Sequence, residues 1–399
     1  MVATPKFGPL TGVRVILSGS AYAGPFAATL MSDYGADVTS IESSRAGDMI
    51  RAGSFFQHAH RNQKCIALDM VSPEGKEVIK RLVTQSDILI ENSKAGQWAK
   101  WGMSDDALWG WNPKLVIAHI SGFGQNGEKK YTSRGSYDGI GQAFGGLMFM
   151  NGEPAPSPPL GVNPFMSDYL VATYASWCCL AAYINTQKTG KGESIDLAQY
   201  EACVYTMSDA LMNYLNHGIT YKRTGEKNPK YGGWQPFQCK DGVILVVPAG
   251  PSAYNKGLPW LGIEIGNETF PADWQFVPRG SKADEIMSAA LAKFCAERTV
   301  EEAEKELNDN FIFASPIMTH EMMDKHPHYK ARQTLTEWEN TEGRKIRGPS
   351  PVFKFKNNPG KVWRGAPRYG QDNEEVLREL GFDEAEIKAM YEKKVLNKK

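Results

Sequence analysis

The feature that most constrains the fold is an alternation of short β-branched runs with helical segments over residues 13–121. Small loops separate the runs. Pro25 suits the first position of a helix that ends at Gly35, and Ser72-Pro73 is a helix start with serine as N-cap. Strand–helix–strand units of this length predict a mostly parallel sheet with helices on both faces. The predicted strands are Val13–Ser18, Asp37–Ile41, Cys65–Leu68, Asp87–Glu91 and Leu115–Ser121.

The second half of the chain reads differently. Leu170–Ile184 predicts a buried core helix, Ala198–Asn216 and Ala283–Asn308 predict long helices, and Asp241-Gly242 predicts a hairpin turn. We therefore expect an α/β large domain with a parallel sheet plus a smaller α+β domain. The predicted division is 1–200 for the first part of the large domain, 201–230 for a linker, 231–325 for the small domain, and 326–399 for a further linker and a C-terminal return to the large domain.

Composition excludes some classes of partner. Lys+Arg and Asp+Glu both number 45, so a net charge of zero predicts no nucleic acid or membrane partner. The 6 cysteines form no C-x-x-C pair, which favours reduced thiols and a cytoplasmic location. The N-terminus lacks an apolar signal segment, and the longest apolar run is shorter than a membrane span.

Two glycine loops resemble dinucleotide fingerprints. Gly19–Gly24 joins the first strand to its helix, and Glu42 ends the second strand, where an acidic residue would bind a ribose. Ala21, however, stands where the middle glycine is needed. Gly122–Gly127 matches G-x-G-x-x-G, but no apolar-periodic helix follows it. An NAD-dependent oxidoreductase therefore remains an alternative. A nucleotide-like ligand at the first loop is plausible whether or not that ligand is a dinucleotide.

Basic residues follow several strand ends. Clustered together they would hold the phosphates of a large anionic ligand, whereas each one alone is a solvated surface charge. They are Arg51, His60, Arg61, Lys94, Lys100 and Arg134.

Asp168 precedes the most apolar helix of the chain. Aspartate is favoured at an N-cap, so a structural role is one interpretation. The other is a carboxylate nucleophile, because a low reference pKa lets it act at neutral pH without a partner base. No G-x-S-x-G elbow, cysteine nucleophile context or metal motif competes with it.

Several segments in the same order along nearly the whole chain resemble the family III CoA-transferases, which include formyl-CoA transferase and carnitine CoA-transferase. KFGPL, AHISGFGQ and FKNNPGKVWRGAP resemble its carnitine/crotonobetaine branch in particular. The segments that carry the family resemblance are PLTGVRVILSG, AGPFAATLMSDYGADVTSIE, LDMVSPEGKEVIKRL, DILIEN, NPKLVIAHISGFGQNG, YDGIGQAFGG, the SDY at 167–169, TGKGESIDLAQYEA and RGAPRYGQDNEEVLRELGF.

The resemblance implies transfer of CoA from an acyl-CoA donor to a carboxylate acceptor. Asp168 would be the nucleophile, through an aspartyl anhydride and an aspartyl-CoA thioester. CoA would be a substrate, and no tightly bound cofactor or metal is implied. The implied assembly is a homodimer of two interlocked rings, each with a Rossmann-like large domain, whose partners are acyl-CoA and small carboxylates. A noncatalytic CoA-binding subunit is a further alternative.

The resemblance also implies CoA contacts. They fall on Tyr22, Ala23, Leu68, Asn92, Lys94 and Lys100. The sequence departs from the family where Ser43 follows Glu42 and where Trp101 follows Lys100, since an arginine is found there in formyl-CoA transferase and in the carnitine enzyme respectively. These departures predict a weaker or differently built phosphate clamp.

Two further site segments come from the same resemblance. Gly232, Gly233 and Trp234 match a glycine-rich loop that closes over the nucleophile, and Tyr137 and Asp138 match a pair lining the site. The branch implies carnitine, crotonobetaine or γ-butyrobetaine as substrates. Aromatic faces at Trp98, Trp101 and Trp234 would suit a trimethylammonium group through cation–π attraction.

Overall fold

The alternating segments of the N-terminal half form one six-stranded parallel sheet in a computed structural model that describes residues 4–398. The predicted α/β class is confirmed. A sixth strand was not predicted, because Glu193–Ala198 mixes polar with apolar residues and contains no β-branched run. The strands are β1 (Arg14–Ser18), β2 (Asp37–Ser43), β3 (Gln63–Leu68), β4 (Ile88–Glu91), β5 (Val116–Ser121) and β6 (Glu193–Ala198).

The strand order is β3-β2-β1-β4-β5-β6. The chain reverses its winding direction between β1 and β4, which pair in parallel with Leu17 opposite Ile90. In such sheets a crevice opens at this switch point, beyond the carboxyl ends of the strands, and ligands bind there.

The helices cover both faces of the sheet. Those up to the end of β6 are α1 (Ala23–Ser32), α2 (Ser54–Ala59), α3 (Pro73–Thr84), α4 (Gln97–Lys100), α5 (Asp105–Trp111), α6 (Lys129–Thr132), α7 (Asp138–Phe144), α8 (Leu147–Met150) and α9 (Met166–Thr189). The remaining ones are α10 (Gln199–Tyr205), α11 (Ala210–His217), a π-helix (Ala253–Gly257), α12 (Leu258–Trp260), α13 (Lys282–Ala296), α14 (Val300–Asp309), α15 (His320–Lys325), α16 (Pro327–Ala331), α17 (Asn373–Glu379) and α18 (Glu384–Glu392).

Two apolar clusters sandwich the sheet. Val15 and Leu17 of β1 face the cluster that includes α1 and α9, whereas Ile16 faces the cluster that includes α3, α17 and α18. This alternation is the period of two expected of a strand buried on both faces.

The C-terminal residues protect an edge of this sheet. The carboxylate of Asp372 accepts a hydrogen bond from the backbone N–H of Cys65 at 2.7 Å, and Asn373 Oδ1 accepts one from Ala67 N at 2.9 Å. Both donors belong to β3, the edge strand, whose unpaired N–H groups would otherwise be open to another chain.

Outside the large sheet, the described residues contain two small antiparallel ones. Strands β7 (Gln235–Gln238), β8 (Val243–Val247) and β9 (Phe313–Pro316) form the first, in which the predicted hairpin at Asp241-Gly242 is confirmed. Strands β10 (Leu335–Glu339) and β11 (Lys345–Pro349) form the second.

Three predicted helices differ from the structure. The predicted helix Ala198–Asn216 is two helices, α10 and α11, and Ser208 between them has a left-handed φ of 53°. The predicted helix Ala283–Asn308 is also two, because Thr299 forms a capping box with Glu302 that starts α14. Helix α9 is longer than predicted and is buried on one face only, since Trp177 on the other is 70% exposed.

Contacts divide the chain into two compact units. One comprises residues 1–147, 162–208 and 328–399 and contains the parallel sheet, and the other comprises residues 148–161 and 209–327. All six cysteines are free thiols, as predicted. None of the helices in residues 4–398 is long and apolar enough to cross a membrane.

Candidate active site

A cavity of about 320 Å³ lies at the switch point of the parallel sheet. Its walls come from the loops that follow β1, β4 and β5 and from the first turns of α9 and α10. Six of the predicted site residues line it: Tyr22, Ala23, Asn92, Lys94, Tyr137 and Asp168.

Asp168 is in the first turn of α9 and is not the N-cap of that helix. Met166 is the first helical residue, and Phe165 occupies the cap position with a left-handed φ of 33°. The interpretation of Asp168 as an N-cap is therefore wrong. Its half-buried carboxyl group accepts a hydrogen bond from the side chain of Gln199 and none from the backbone of its own helix.

Asp138 caps α9 from another helix. Its Oδ1 accepts hydrogen bonds from Ser167 N at 2.8 Å and from Ser167 Oγ at 2.9 Å, and its Oδ2 accepts one from Gln142 Nε2 at 2.6 Å. The orphan N–H groups of a helix start need such acceptors. Asp138 is the first residue of α7, so α7 fixes the position of the turn that carries Asp168.

The pKa of Asp168 is raised to about 7. Burial is the largest cause, the negative charge of Asp138 adds to it, and the hydrogen bond from Gln199 opposes both. A carboxyl group with a perturbed pKa in a crevice is a candidate for chemistry. The raised pKa also means that ionisation of Asp168 is in balance near neutral pH, which its reference value did not predict.

Gln199 is a site residue that the sequence did not single out. It begins α10 directly after β6, is only 5% exposed, and donates from Nε2 to Asp168 Oδ1 at 2.6 Å. Ser136 Oγ donates to the other end of the amide, Gln199 Oε1, at 2.7 Å. The available signal was its place after a strand at the carboxyl edge of the sheet, and it was missed because β6 was not predicted.

Two glycines let these groups approach each other. A Cβ on Gly141 would lie 2.7 Å from Gln199 Cδ and 2.8 Å from Ser167 Oγ. A Cβ on Gly122 would lie 2.2 Å from the Cβ of Ser136. Gly122 opens the G-x-G-x-x-G match, so close packing explains this glycine, and the match is a tight loop leaving the sheet.

The loop after β1 is held by side chains. Asn92 accepts from Ser20 N at 3.0 Å and donates to Ser20 O at 2.8 Å. Ala21 has a left-handed φ of 63°, and its N–H donates to Asp48 Oδ2 at 3.0 Å. A carboxylate thus takes the N–H of the residue that stands in place of the middle glycine, which disfavours a dinucleotide pyrophosphate at this loop.

Only two of the six basic residues line the cavity. Lys94 and Arg134 are exposed there, and within residues 4–398 no carboxylate forms an ion pair with either. Arg134 stacks over Phe123 with its guanidinium 5.0 Å from the ring centroid. Lys100 is exposed at the end of α4 and does not line the cavity.

The other three basic residues are neither phosphate ligands nor surface charges. Arg51 pairs with Glu42, and Arg61 pairs with the buried Asp33. His60 is fully buried and stacks on Phe56. The hypothesis that all six form one phosphate clamp is wrong, because these three side chains are paired or buried away from the cavity. The sequence alone did not reveal their partners.

Two residues expected near CoA or substrate are in the core. Leu68 ends β3 and is 1% exposed, and Trp98 is 3% exposed beside Trp101. By contrast, Tyr137 is 66% exposed at the cavity wall. Tyr22 is buried, and its hydroxyl donates to the hydroxyl of Tyr169, next to Asp168 in the chain.

Gly232, Gly233 and Trp234 belong to the second unit, and hydrogen bonds hold their backbone there. Gly232 N donates to Val277 O at 2.8 Å, and Gly233 N donates to Asp284 Oδ1 at 2.9 Å. The ring of Trp234 stacks on Tyr231. The loop is therefore firmly attached to its own unit.

A Rossmann-ordered parallel sheet with a half-buried carboxyl group at its switch point is typical of α/β proteins that bind a ligand at the carboxyl edge of the sheet. Comparison with known proteins narrows this class. Residues 10–373 of the chain match the family described as CoA-transferase family III. The chain belongs to that family, which makes the alternative of an NAD-dependent oxidoreductase wrong.

Two curated relatives cover most of the chain. A bile acid CoA-transferase, BaiK, from Clostridium scindens is 40% identical over 388 residues, 96% of this chain and 88% of the relative. An L-carnitine CoA-transferase from Proteus mirabilis is 35% identical over 394 residues, 98% of this chain and 97% of the relative.

Solved structures share the fold. A CaiB/BaiF family protein from Brucella suis superposes with a TM-score of 0.79 at 27% identity, covering 94% of this chain and 100% of that one. A protein from Mycobacterium tuberculosis has a TM-score of 0.78 at 23% identity over 93% of this chain and 99% of that one, a likeness of fold alone.

Proposed function

We propose that the protein transfers CoA from an acyl-CoA donor to a carboxylate acceptor through covalent intermediates on Asp168. The observation that carries the proposal is the half-buried carboxyl of Asp168 in a switch-point cavity that is also lined by two cations without a carboxylate partner in the described chain. The carboxylate supplies a nucleophile, and Lys94 and Arg134 suit the phosphates of CoA.

Each step exchanges one activated acyl bond for another. Asp168 Oδ2 attacks the donor thioester carbon, a C–O bond forms, the C–S bond breaks, and the electron pair leaves on the CoA thiolate. The thiolate then attacks the Asp168 carboxyl carbon and expels the donor as its free carboxylate.

The resulting aspartyl-CoA thioester is attacked by the acceptor carboxylate, which releases the thiolate again. The thiolate finally attacks the acceptor acyl carbon, which gives the new acyl-CoA and regenerates the carboxylate of Asp168. The energies of the exchanged bonds are similar, so no nucleotide triphosphate is consumed.

CoA contacts follow from the cavity walls. We assign them to Tyr22, Ala23, Asn92 and Lys94 as the resemblance implies, and we add Arg134. Asn92 lines the cavity and also holds the Ser20 backbone, with which its amide forms two hydrogen bonds. Leu68 and Lys100 stay proposals from resemblance, for an adenine-side contact and a phosphate contact outside the main cavity.

Carnitine, crotonobetaine and γ-butyrobetaine are the first candidate substrates. The relative from Proteus mirabilis and the sequence segments of that branch support them. An aromatic group beside Asp168, with Tyr22 and Phe55 stacked at 3.8 Å between ring centroids and Phe165 edge-on to Phe55, would receive a trimethylammonium group.

A bulky apolar acid such as a bile acid is the second candidate. The higher identity to the Clostridium scindens relative favours it. The same rings beside Asp168 would pack against an apolar acyl group, so the aromatic group alone does not separate the two candidates.

We further propose a homodimer, with Gly232–Trp234 as the segment that covers a nucleophile and shields the anhydride from water. The exposed face of α9 and α10 supports an interface, since Trp177 and Tyr205 are 70% and 82% exposed there.

The free thiols of all six cysteines support a cytoplasmic location.

One assay tests the proposal. Tritiated CoA thioesters of γ-butyrobetaine and of cholate are offered with L-carnitine, crotonobetaine and cholate as acceptors, and labelled product is measured. Asp168→Ala should abolish transfer and keep the fold, while the exposed Asp273→Asn should not change it. Hydroxylamine should trap a hydroxamate on Asp168 during turnover. Full activity of Asp168→Ala would refute the nucleophile, and faster turnover of cholate, which has no trimethylammonium group, than of the betaines would refute the betaine assignment.

A further inference from the structure

Gln199 is a nearly buried amide with a fixed partner at each end. Ser136 Oγ donates to its Oε1 at 2.7 Å, and its Nε2 donates to Asp168 Oδ1 at 2.6 Å. An ionised carboxylate offers only acceptors, so an N–H must face it. The serine hydroxyl occupies the amide oxygen and thereby keeps the N–H directed at Asp168.

The hydrogen bond selects one oxygen of the nucleophile. No residue among 4–398 donates to Asp168 Oδ2, so Oδ2 has the free lone pairs with which to attack a thioester. Oδ1, which Gln199 holds, then remains as the carbonyl oxygen of the anhydride and of the aspartyl-CoA thioester.

The reaction places negative charge on that same oxygen. In the second step the CoA thiolate attacks the Asp168 carboxyl carbon, and in the third step the acceptor carboxylate does so. Each attack turns Oδ1 from a carbonyl oxygen into an oxyanion before the bond to the leaving group breaks. A donor already placed at hydrogen-bond distance stabilises such charge without reorganisation.

Resting on the function proposed above, we propose that Gln199 is a catalytic residue whose Nε2–H stabilises the oxyanion formed on Asp168 Oδ1. Ser136 is a positioning residue that keeps the amide from rotating. Gly141 allows the arrangement, because a Cβ there would lie within 2.7 Å of the Gln199 side chain.

The proposal predicts an unequal effect on the steps. Attack of Oδ2 on the donor thioester places charge on the donor's oxygen, which Gln199 does not touch. Loss of the amide should slow attack at the Asp168 carbon by about 100-fold, the effect of removing one oxyanion donor, and should leave the first step much less affected. An acyl adduct on Asp168 should then accumulate in place of the CoA adduct.

The first test uses the free enzyme. Carboxyl-labelled aspartate lets carbon-13 NMR follow the titration of Asp168 in wild type, Gln199→Met and the control Gln187→Met, an exposed glutamine on α9. The pKa of Asp168 should rise in Gln199→Met and stay at about 7 in the control. An unchanged titration in Gln199→Met would overturn the contact, whatever the enzyme's activity.

The second test measures the adducts by intact-protein mass spectrometry after mixing with γ-butyrobetainyl-CoA or choloyl-CoA. Wild type should show mainly the CoA adduct, and Gln199→Met mainly the acyl adduct. Equal partition in the two proteins would overturn the oxyanion role. Wild type forming no adduct with either probe would instead refute the proposed function.

Two further variants guard against misfolding of Gln199→Met. Ser136→Ala keeps the amide but frees its rotation, and should shift the partition in the same direction by a smaller factor. Gln199→Glu donates a hydrogen bond only when protonated, so its turnover should fall with rising pH where that of wild type rises. A Gln199→Glu profile parallel to wild type would contradict the need for a donor.

Discussion

The carboxylate of Asp138 accepts a hydrogen bond from the backbone N–H of Ser167 at 2.8 Å, so a side chain from α7 caps the helix that carries Asp168. The same carboxylate places a negative charge near Asp168. One residue therefore both positions the proposed nucleophile and makes its ionisation more difficult.

Asp138→Asn should separate these two effects. Asparagine can still accept from Ser167 but removes the charge, so the pKa of Asp168 should fall from about 7 toward its ordinary value while burial keeps it above that value. Since the ionised form is the nucleophile, kcat/KM of wild type should rise with pH through about 7, and the rise should occur at lower pH in the variant. Coinciding acid limbs would contradict the electrostatic argument, and exposed Asp273→Asn is the control.

His119 provides a test of pH-dependent stability. Burial alone would lower its pKa, but hydrogen bonds with Asp105 at 3.0 Å and Glu91 at 2.7 Å raise it to about 9. A raised pKa means that the ionised imidazole stabilises the fold fully below pH 6.5 and that this contribution disappears as pH rises through about 9.

His119→Gln should therefore cost about 3 kcal/mol of unfolding free energy at pH 6, because it leaves Glu91 buried without its cation. Urea unfolding at pH 6 and pH 9.5 measures the cost, which should shrink at the higher pH. Exposed His217→Gln is the control. A cost that is the same at both pH values would rule out a charged His119.

Gly141→Ala tests the packing beneath the site. The added methyl group meets Gln199 and Ser167, so we expect destabilisation of about 1–3 kcal/mol and a kcat at least about 10-fold lower, since the hydrogen bond to Asp168 must shift. Gly110→Ala on α5 is a matched control, because its Cβ would meet nothing within 4 Å. That control should be neutral or up to about 1 kcal/mol more stable. Equal behaviour of the two variants would contradict the close approach.

Lys94→Ala and Arg134→Ala test the phosphate contacts. Each should raise the KM for acyl-CoA about 10-fold, the value of one charge-assisted hydrogen bond, and should weaken the salt dependence of KM. Lys100→Ala removes a cation outside the cavity and should have a smaller effect. An equal or larger rise in Lys100→Ala would place the phosphates on the α4 side instead.

Local pattern was enough to predict much of the parallel sheet. Strands β1 to β5 are buried along most of their length and each contains a short β-branched or aliphatic stretch, and Ser72 caps α3 by accepting a hydrogen bond from Gly75 N. The helix breaks at Ser208 and Thr299 were missed because helical periodicity continues across them. Strand β6 was missed because it is only partly buried, so its six residues, ESIDLA, contain no continuous apolar or β-branched run.

The sequence predicted the kind of site, a cavity with a carboxyl group at the edge of a parallel sheet, but only some of the residues that form it. The residue order by itself determined the strand–loop–helix units, the acid at the start of α9 and the glycines where backbone must approach closely, because these depend on neighbours along the chain. Only the tertiary structure decided that Arg51 and Arg61 form ion pairs with Glu42 and Asp33. It also decided that Gln199 contacts Asp168 and that Asp138 caps the helix on which Asp168 lies. Charge pairing and burial arise between residues far apart in sequence, and these long-range contacts set the pKa of Asp168 and decide which basic residues line the cavity.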